Sequence, residues 1–354
     1  MPKPVTTTAS IPMRTVGPIK IIGPEVNDEV NVPLATYETP LWYTTHRGAR
    51  VSMLAGGIQA IIIDESMSRS FIVQGNNALT LSQITQELTQ QKTVLQKIVS
   101  DTSRFAQLKN WHTQQVGNLL YFRLEITTGD ASGHNMVTKA ADALLQWLLE
   151  RYPTLRYVSI SGNYCTDKKV SAVNSILGRG KKVIAEITIP KSICQGRLRT
   201  DPQHIVELNI KKNLLGSTLA GSLHSSNAHF ANILLALYLA TGQDAANIVE
   251  GSQGITYAEL KGEDLYFSVT LPNIIVGTVG NGKNLDFAKE NLRMMGCLVP
   301  REPGQNARRL AIIIAAATLC GELSLLAALT HPGELMKSHI KLERKSFEAG
   351  KLIK

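Results

Sequence analysis

Between Arg69 and Ile160 the apolar residues switch between the period of a strand and that of a helix, and the order of those switches leaves few folds open. Phe71-Ile-Val73 reads as a short strand, and Ser82 caps a helix whose apolar side is Ile84, Leu88, Leu95 and Ile98. Strands follow at about Leu108–Thr113 and at Phe122, Leu124 and Ile126, which alternate cleanly with Arg123 and Glu125. Asn135 to Arg151 is a helix stopped by Pro153, and Tyr157–Ile160 is the last strand. Strand, helix, strand, strand, helix, strand is the ferredoxin-like order. The stretch therefore reads as a small domain inserted into a larger one, with residues 70–160 between a first part at 1–69 and a second at 161–354.

A chain of 354 residues has room for both cores. The net charge of +9 and pI of about 9.3 suit a polyanionic partner. Aromatic residues make up only 5% and no nucleic-acid signature is present, so phosphate-rich cofactors are preferred to nucleic acid. Cys165, Cys194, Cys297 and Cys320 are widely spaced with no nearby His cluster, which predicts a reducing compartment and no metal site. Met1–Arg14 has no apolar signal core, and the most apolar run, Leu310–Leu329, is interrupted by Glu322. That run reads as a buried helix rather than a membrane span, and the expected location is the cytoplasm.

In the larger part, residues 1 to about 32 look extended. A helix begins after Glu38, with Thr39 as cap and Pro40 at the first position, its ring forcing Thr39 out of the α region. Val183, Ala185, Ile187 and Ile189 alternate as a strand ended by Pro190, and Tyr266–Leu271 is another. Gly221–Ala240 reads as a long helix of small residues containing His229 and Asn232. The tail carries Lys337, Lys341, Arg344, Lys345, Lys351 and Lys354, as a solvated helix or a mobile flap over anions would.

Chemistry concentrates in a few short runs. Ser161-Gly-Asn-Tyr-Cys-Thr-Asp-Lys-Lys169 lies between a strand and a helix, where loops are held and functional. Its Asp167, Lys168 and Lys169 form either a solvated charged turn or a cluster that holds one lysine charged toward a developing oxyanion. Gly277-Thr-Val-Gly-Asn-Gly-Lys283 is nearly a P-loop, but Asn284 stands where a hydroxyl would hold magnesium. That makes an ATPase the rival reading. Asp130-Ala-Ser-Gly-His-Asn-Met136 joins a strand to a helix N-terminus, a place for phosphate or nicotinamide, or a plain turn. Asp244, past a helix end, is a cap or an acid tuning a lysine, and His339 is an exposed tail histidine or a gated proton donor.

The run Ser161–Lys169 followed by Gly178-Arg-Gly-Lys-Lys182 closely resembles the catalytic segment of hydroxymethylglutaryl-CoA reductases, and the similarity extends from about Gly17 to Arg344. The resemblance implies an α+β fold, with a large mixed α/β domain for CoA and substrate and an inserted ferredoxin-like domain for the cofactor. It implies a homodimer or higher oligomer with sites between subunits. The activity implied is reduction of hydroxymethylglutaryl-CoA to mevalonate, on the isoprenoid pathway, with two NADPH and release of CoA; oxidation of mevalonate with NAD is the alternative direction. By it Lys168 is the catalytic lysine, Glu38 and Asp244 are the acids, and His339 protonates departing CoA. Arg69, Ser161, Asp167, Lys169, Lys212, His229, Asn232 and Leu325 match positions around the hydroxymethylglutaryl part, and Thr44, His46, Arg47 and Arg50 fall where the family contacts CoA.

For the cofactor, the resemblance picks out Asp130, Gly133, Asn135, Met136, Gly280 and Gly282, with Ser103, Arg104 and Phe105 gripping the extra phosphate of NADPH and Arg344 adding a tail contact. Departures are visible too. His46 stands for an expected Asn, Asn281 and Lys283 for small residues, and Leu223-His-Ser-Ser226 for a more Gly-rich run. The similarity leaves out a membrane anchor and most of the helical N-terminal part of the animal enzymes, and Lys345 occupies the place of their regulatory serine.

Overall fold

The structure, a computed structural model, describes residues 7–222, 224–337 and 340. Its strands are β1 (Met13–Ile22), β2 (Asp28–Ala35), β3 (Ile58–Gln74), β4 (Leu108–Val116), β5 (Leu119–Ile126), β6 (Arg156–Ser159), β7 (Gly180–Ile189), β8 (Ser225–Ser226), β9 (Gly254–Lys261) and β10 (Asp264–Ile274). The large sheet runs β2-β1-β3-β7-β10-β9-β8. β3 is far longer than the expected Phe71–Val73, because it serves two sheets in turn. Residues Gln59–Ser66 pair with β7, whereas Met67–Gln74 pair with β5 from Met67↔Ile126 to Gln74↔Leu119. β6 pairs on the other side of β3, and β4 pairs with β5, all antiparallel. The resulting order, β6-β3-β5-β4, is that of a ferredoxin-like unit.

Two apolar cores follow from these sheets. One gathers Phe71, Leu81, Leu88, Phe122, Leu144 and their neighbours under the insert, and the other lies around the helix Gln305–Leu329. That helix is apolar on every side and long enough to cross a membrane, yet nearly all of it is covered by protein. Each fully covered Leu or Ile there contributes roughly 1.5–3 kcal/mol. It packs so tightly on the helix Pro40–Leu54 that a Cβ at Gly48 would stand 2.1 Å from Cys320 O. Glu322, fully buried in this helix, accepts from Ala228 N at 2.6 Å, His229 N at 3.1 Å and Thr256 Oγ1 at 2.9 Å. A buried carboxylate so satisfied anchors the segment before His229.

Several local expectations are corrected. Pro40 does start its helix, but Thr39 is itself in the α region (φ −59°, ψ −30°) and makes no side-chain cap. The chain here turns by the Leu41 N–H to Glu38 carbonyl bond rather than by an extended residue. Asn77, not Ser82, caps the first insert helix by accepting from Thr80 N, and that helix stops at Gln90 before a second runs Lys92–Thr102. Residues 221–240 do not form one helix, since Glu322 ties residues 228 and 229 into a turn and the helix spans only Phe230–Ala240. Clean alternation usually leaves one face in water, yet Arg123 is wholly buried and Glu125 nearly so.

Candidate active site

The loop between β6 and the helix Ala172–Leu177 is an unusual backbone. Asn163, Thr166 and Lys168 all have positive φ, of 57°, 45° and 56°. Such left-handed residues are costly and persist only where surroundings fix them. Asn174 donates to Cys165 O at 3.1 Å and Thr166 O at 3.2 Å. Arg123 reaches across from β5 to Tyr164 O, Asn174 Oδ1 and Gly178 O. Gly162 N donates to Ser70 O at 2.7 Å, and a Cβ on this glycine would press on Ser70 Oγ. The insert thus clamps the loop that carries Lys168.

Lys168 Nζ lies 2.8 Å from Asp244 Oδ2. Asp244 also caps the turn Ala245–Asn247 through Ala246 N, so it is both the cap and the lysine partner. The hydrogen bond from Lys168 to Asp244 raises the lysine above its ordinary value, against some desolvation. Desolvation pushes Asp244 up, but the Lys168 bond, the Ala246 N–H and the charges of Lys168 and His134 bring it below the usual carboxylate value. A charged ammonium is therefore held at a fixed point.

Around this pair opens a cavity of about 790 Å³, walled by Arg69, Asp167, the loop Ala131–Met136, the stretch Gly242–Asp244 and the turn Val279–Lys283. Asp167 is 3.0 Å from Arg179 and 3.9 Å from Arg69. Gly133, Asn135, Met136, Gly280 and Gly282 all face the cavity. Gly133 adopts φ 96°, and a Cβ there would fall 2.4 Å from Thr128 Cγ2, so only glycine starts the helix His134–Arg151 this way. Gly282 approaches Gly242 so closely that a Cβ would lie 2.2 Å from Gly242 O. Lys283 is buried beside it, its ammonium lowered by desolvation and partly restored by Asp244. The helix after this turn begins only at Asp286, so the run lacks the loop-to-helix junction of a P-loop and the ATPase reading loses its support.

A second cavity of about 520 Å³ continues along the same loop at Thr127 and Gly129 and is lined by Arg104, Phe105 and Arg308. Arg104 Cζ stands 4.6 Å over the Phe105 ring with its guanidinium exposed, and Ser103 Oγ accepts from Phe105 N. Two cavities joined by one loop, with a phosphate-binding cation at one end and a fixed ammonium at the other, fit a dinucleotide bearing an extra phosphate. Asp130 is not free for that ligand. Its oxygens accept from Gly304 N at 3.0 Å and Ala307 N at 2.9 Å, capping the core helix.

Other candidates gather elsewhere. Glu38 Oε2 accepts from Asn232 Nδ2 at 2.9 Å, His229 sits just ahead of Asn232 with its Nε2 buried and unpartnered, and Lys212 donates to Asn213, which reaches Glu322. None of these lines the Lys168 cavity. Ser161 and Lys169 are exposed on the catalytic loop, and Leu325 is half-buried on the core helix. Of the expected CoA contacts, Thr44 is half-buried, His46 and Arg50 are exposed, and Arg47 is engaged with Ser324 Oγ at 2.8 Å. His339 and Arg344 lie outside the described residues. The sequence reading missed His134, Arg123, Arg179 and Glu250, all in or behind this site. Arg179 and His134 each stood inside a run already singled out, Gly178-Arg-Gly180 and Asp130-Ala-Ser-Gly-His-Asn-Met136, whereas Glu250 stood in none.

A fixed, charged lysine at one of two cavities lined by the same loop, with an exposed Arg104 at the other, is the equipment for hydride chemistry at a carbonyl, and fold and site together define an oxidoreductase. Comparison with known proteins agrees. The family model described as hydroxymethylglutaryl-coenzyme A reductase matches residues 4–344, and the chain belongs to that family. It is 44% identical over 337 residues to the 3-hydroxy-3-methylglutaryl-coenzyme A reductase of Pyrococcus abyssi, covering 94% of this chain and 82% of the relative. Identity to the enzyme of the same description in Aeropyrum pernix is 42% over 336 residues, 94% of this chain and 79% of that one. Among solved structures, a class II 3-hydroxy-3-methylglutaryl-CoA reductase from Streptococcus pneumoniae bound to NADPH superposes with a TM-score of 0.73, over 93% of this chain and 87% of that one. At 21% identity this last likeness speaks to the fold.

Proposed function

We propose that this chain reduces 3-hydroxy-3-methylglutaryl-CoA to mevalonate with two equivalents of NADPH, releasing CoA. The observation that carries this is the Lys168–Asp244 pair, 2.8 Å apart, facing the cavity that continues along the loop at Gly129–Met136 toward Arg104. NADPH, when bound, supplies hydride to the thioester and then to the aldehyde. At each stage negative charge grows on the carbonyl oxygen, and Lys168 stabilises it. A comparable donor is worth roughly 3–4 kcal/mol. Asp244 keeps the ammonium charged and aimed. Gly133, Asn135, Met136, Gly280 and Gly282 hold the nicotinamide end, Arg104 on Phe105 holds the extra phosphate with Ser103 beside it, and Asp130 braces the loop from behind. Arg344 adds a phosphate contact from the tail.

Arg69, Asp167, Ser161 and Lys169 surround the carboxylate end of the substrate, and Thr44, His46, Arg47 and Arg50 meet CoA. Glu38, held by Asn232, gives the alcohol proton. His229, Lys212 and Leu325 complete that second cluster, and His339 protonates the departing thiol. Because Glu38 does not line the Lys168 cavity, the reading joins the two clusters across subunits of a homodimer or higher oligomer. Residues 70–160 serve as the cofactor domain and 1–69 with 161–354 as the CoA and substrate domain, in the cytoplasm. Loss of NADPH absorbance on adding the thioester, with release of one thiol, tests this directly. Oxidation of mevalonate with NAD as the sole detectable reaction would overturn the direction.

A further inference from the structure

Glu250 is wholly buried and lines no part of the catalytic cavity, yet it connects to both sides of the Lys168–Asp244 pair through Arg179 and Asn247. Its Oε1 accepts from Arg179 Nη1 at 2.7 Å and from Asn247 Nδ2 at 3.1 Å. The same Arg179 Nη1 lies 3.0 Å from Asp167 Oδ1, on the residue before Lys168. Asn247 closes the turn that Asp244 caps. Lys168, Asp244, Asn247, Glu250, Arg179 and Asp167 thus form a closed ring of side chains and short backbone.

One buried guanidinium in this ring faces two carboxyl groups, and Glu250 Oε2 has no hydrogen-bond partner. With both groups ionised, Asp167 still has Arg69 at 3.9 Å and the open cavity, whereas the wholly buried Glu250 must share Arg179 with it, so a charge on Glu250 is the costly one. We propose that Glu250 is a positioning residue for the catalytic pair. Protonated, it leaves Arg179 to Asp167 and keeps Lys168 set against Asp244; ionised, it competes for Arg179 and adds negative charge behind the site.

Burial, and then the charge of Asp167, push the Glu250 carboxyl up to about 7, against the pull of Arg179 and Asn247. The other groups that face the ring do not change charge there. Lys168 is raised above its ordinary value by Asp244, and the Tyr238 hydroxyl is raised by burial. His134 is lowered to about 4 by burial and Arg179, so it is neutral. Asn273 meets Glu250 through the Glu250 backbone carbonyl and carries no charge. Negative charge behind Lys168 opposes a developing oxyanion, so activity is expected to fall as pH rises through about 7.

The inference rests on Lys168 and Asp244 being the catalytic pair. The test compares pH profiles of kcat/KM for NADPH-dependent thioester reduction by the full chain and by its Glu250→Gln variant. Any titration common to both proteins cancels in their ratio, so with a Glu250 midpoint of about 7 the ratio of variant to wild type should rise about fivefold from pH 7 to pH 8 and approach tenfold per unit above that. Superimposable profiles from two folded, active proteins overturn the role of Glu250 alone. A wild type inactive at every pH overturns instead the reading of the reaction. If Glu250→Gln does not fold, Asn247→Ala removes a donor that lowers the Glu250 value and should move the wild-type midpoint to higher pH; an unmoved midpoint overturns the proposal.

Discussion

Arg123 Nη1 donates to Asn174 Oδ1 at 2.9 Å, joining β5 of the insert to the helix that backs the catalytic loop. The same guanidinium pairs with Glu125 at 3.0 Å and is wholly buried. Replacing it with an apolar side chain leaves Glu125 and two carbonyls without their donor. Arg123→Met should therefore destabilise the chain by about 3 kcal/mol and lower turnover by loosening the backbone around Lys168. Urea unfolding followed by circular dichroism checks the first part. An unchanged midpoint would contradict the clamp.

Selectivity for the phosphate of NADPH should reside in Arg104. Its guanidinium is exposed on the Phe105 ring and has no carboxylate partner among the described ion pairs. Arg104→Ala should raise KM for NADPH by about tenfold or more, because a charge-assisted bond to phosphate is lost, with little change for NADH. Equal effects on the two cofactors would remove the argument.

How subunits share the site can be read from mixtures. Lys168→Ala and Glu38→Gln each remove one cluster. If the site is completed across a dimer, mixing the two inactive variants through a dissociation step restores about a quarter of wild-type activity, from the heterodimers that keep one whole site. No recovery in mixtures verified to exchange would place Glu38 and Lys168 of one chain in the same site.

Stability should carry the Glu250 signature too. Its folded value of about 7 stands above the ordinary 4.5, so its contribution is fully present below 4.5 and is lost as pH rises through 7. Glu250→Gln escapes that loss, which amounts to about 3 kcal/mol. The melting temperature of the variant relative to wild type should rise between pH 5 and pH 8. A difference that does not change with pH would count against a buried carboxyl of this kind.

The insert was legible in the sequence because ferredoxin-like order is written in local periods, and Phe122, Leu124 and Ile126 do face a core. Arg123 and Glu125 were not legible as buried, since the partner that makes the burial tolerable, Asn174, is 51 residues away. The same holds for residues 221–229. Their small side chains suit a helix, but Ser225 and Ser226 pair with the distant β9, and Glu322, 94 positions beyond Ala228, holds the backbone of residues 228 and 229. Lys168 was found through its motif and Asp244 through its place after a helix. The Arg179–Glu250 brace behind them has no local pattern, because it depends on which carboxylates share a guanidinium in three dimensions.

The central claim concerns the Lys168 ammonium, and Lys168→Ala tests it most directly. In a variant whose far-ultraviolet circular dichroism and melting match wild type, NADPH-dependent reduction of hydroxymethylglutaryl-CoA should fall by about 100- to 1,000-fold. Turnover within a few-fold of wild type in that folded protein would contradict the account.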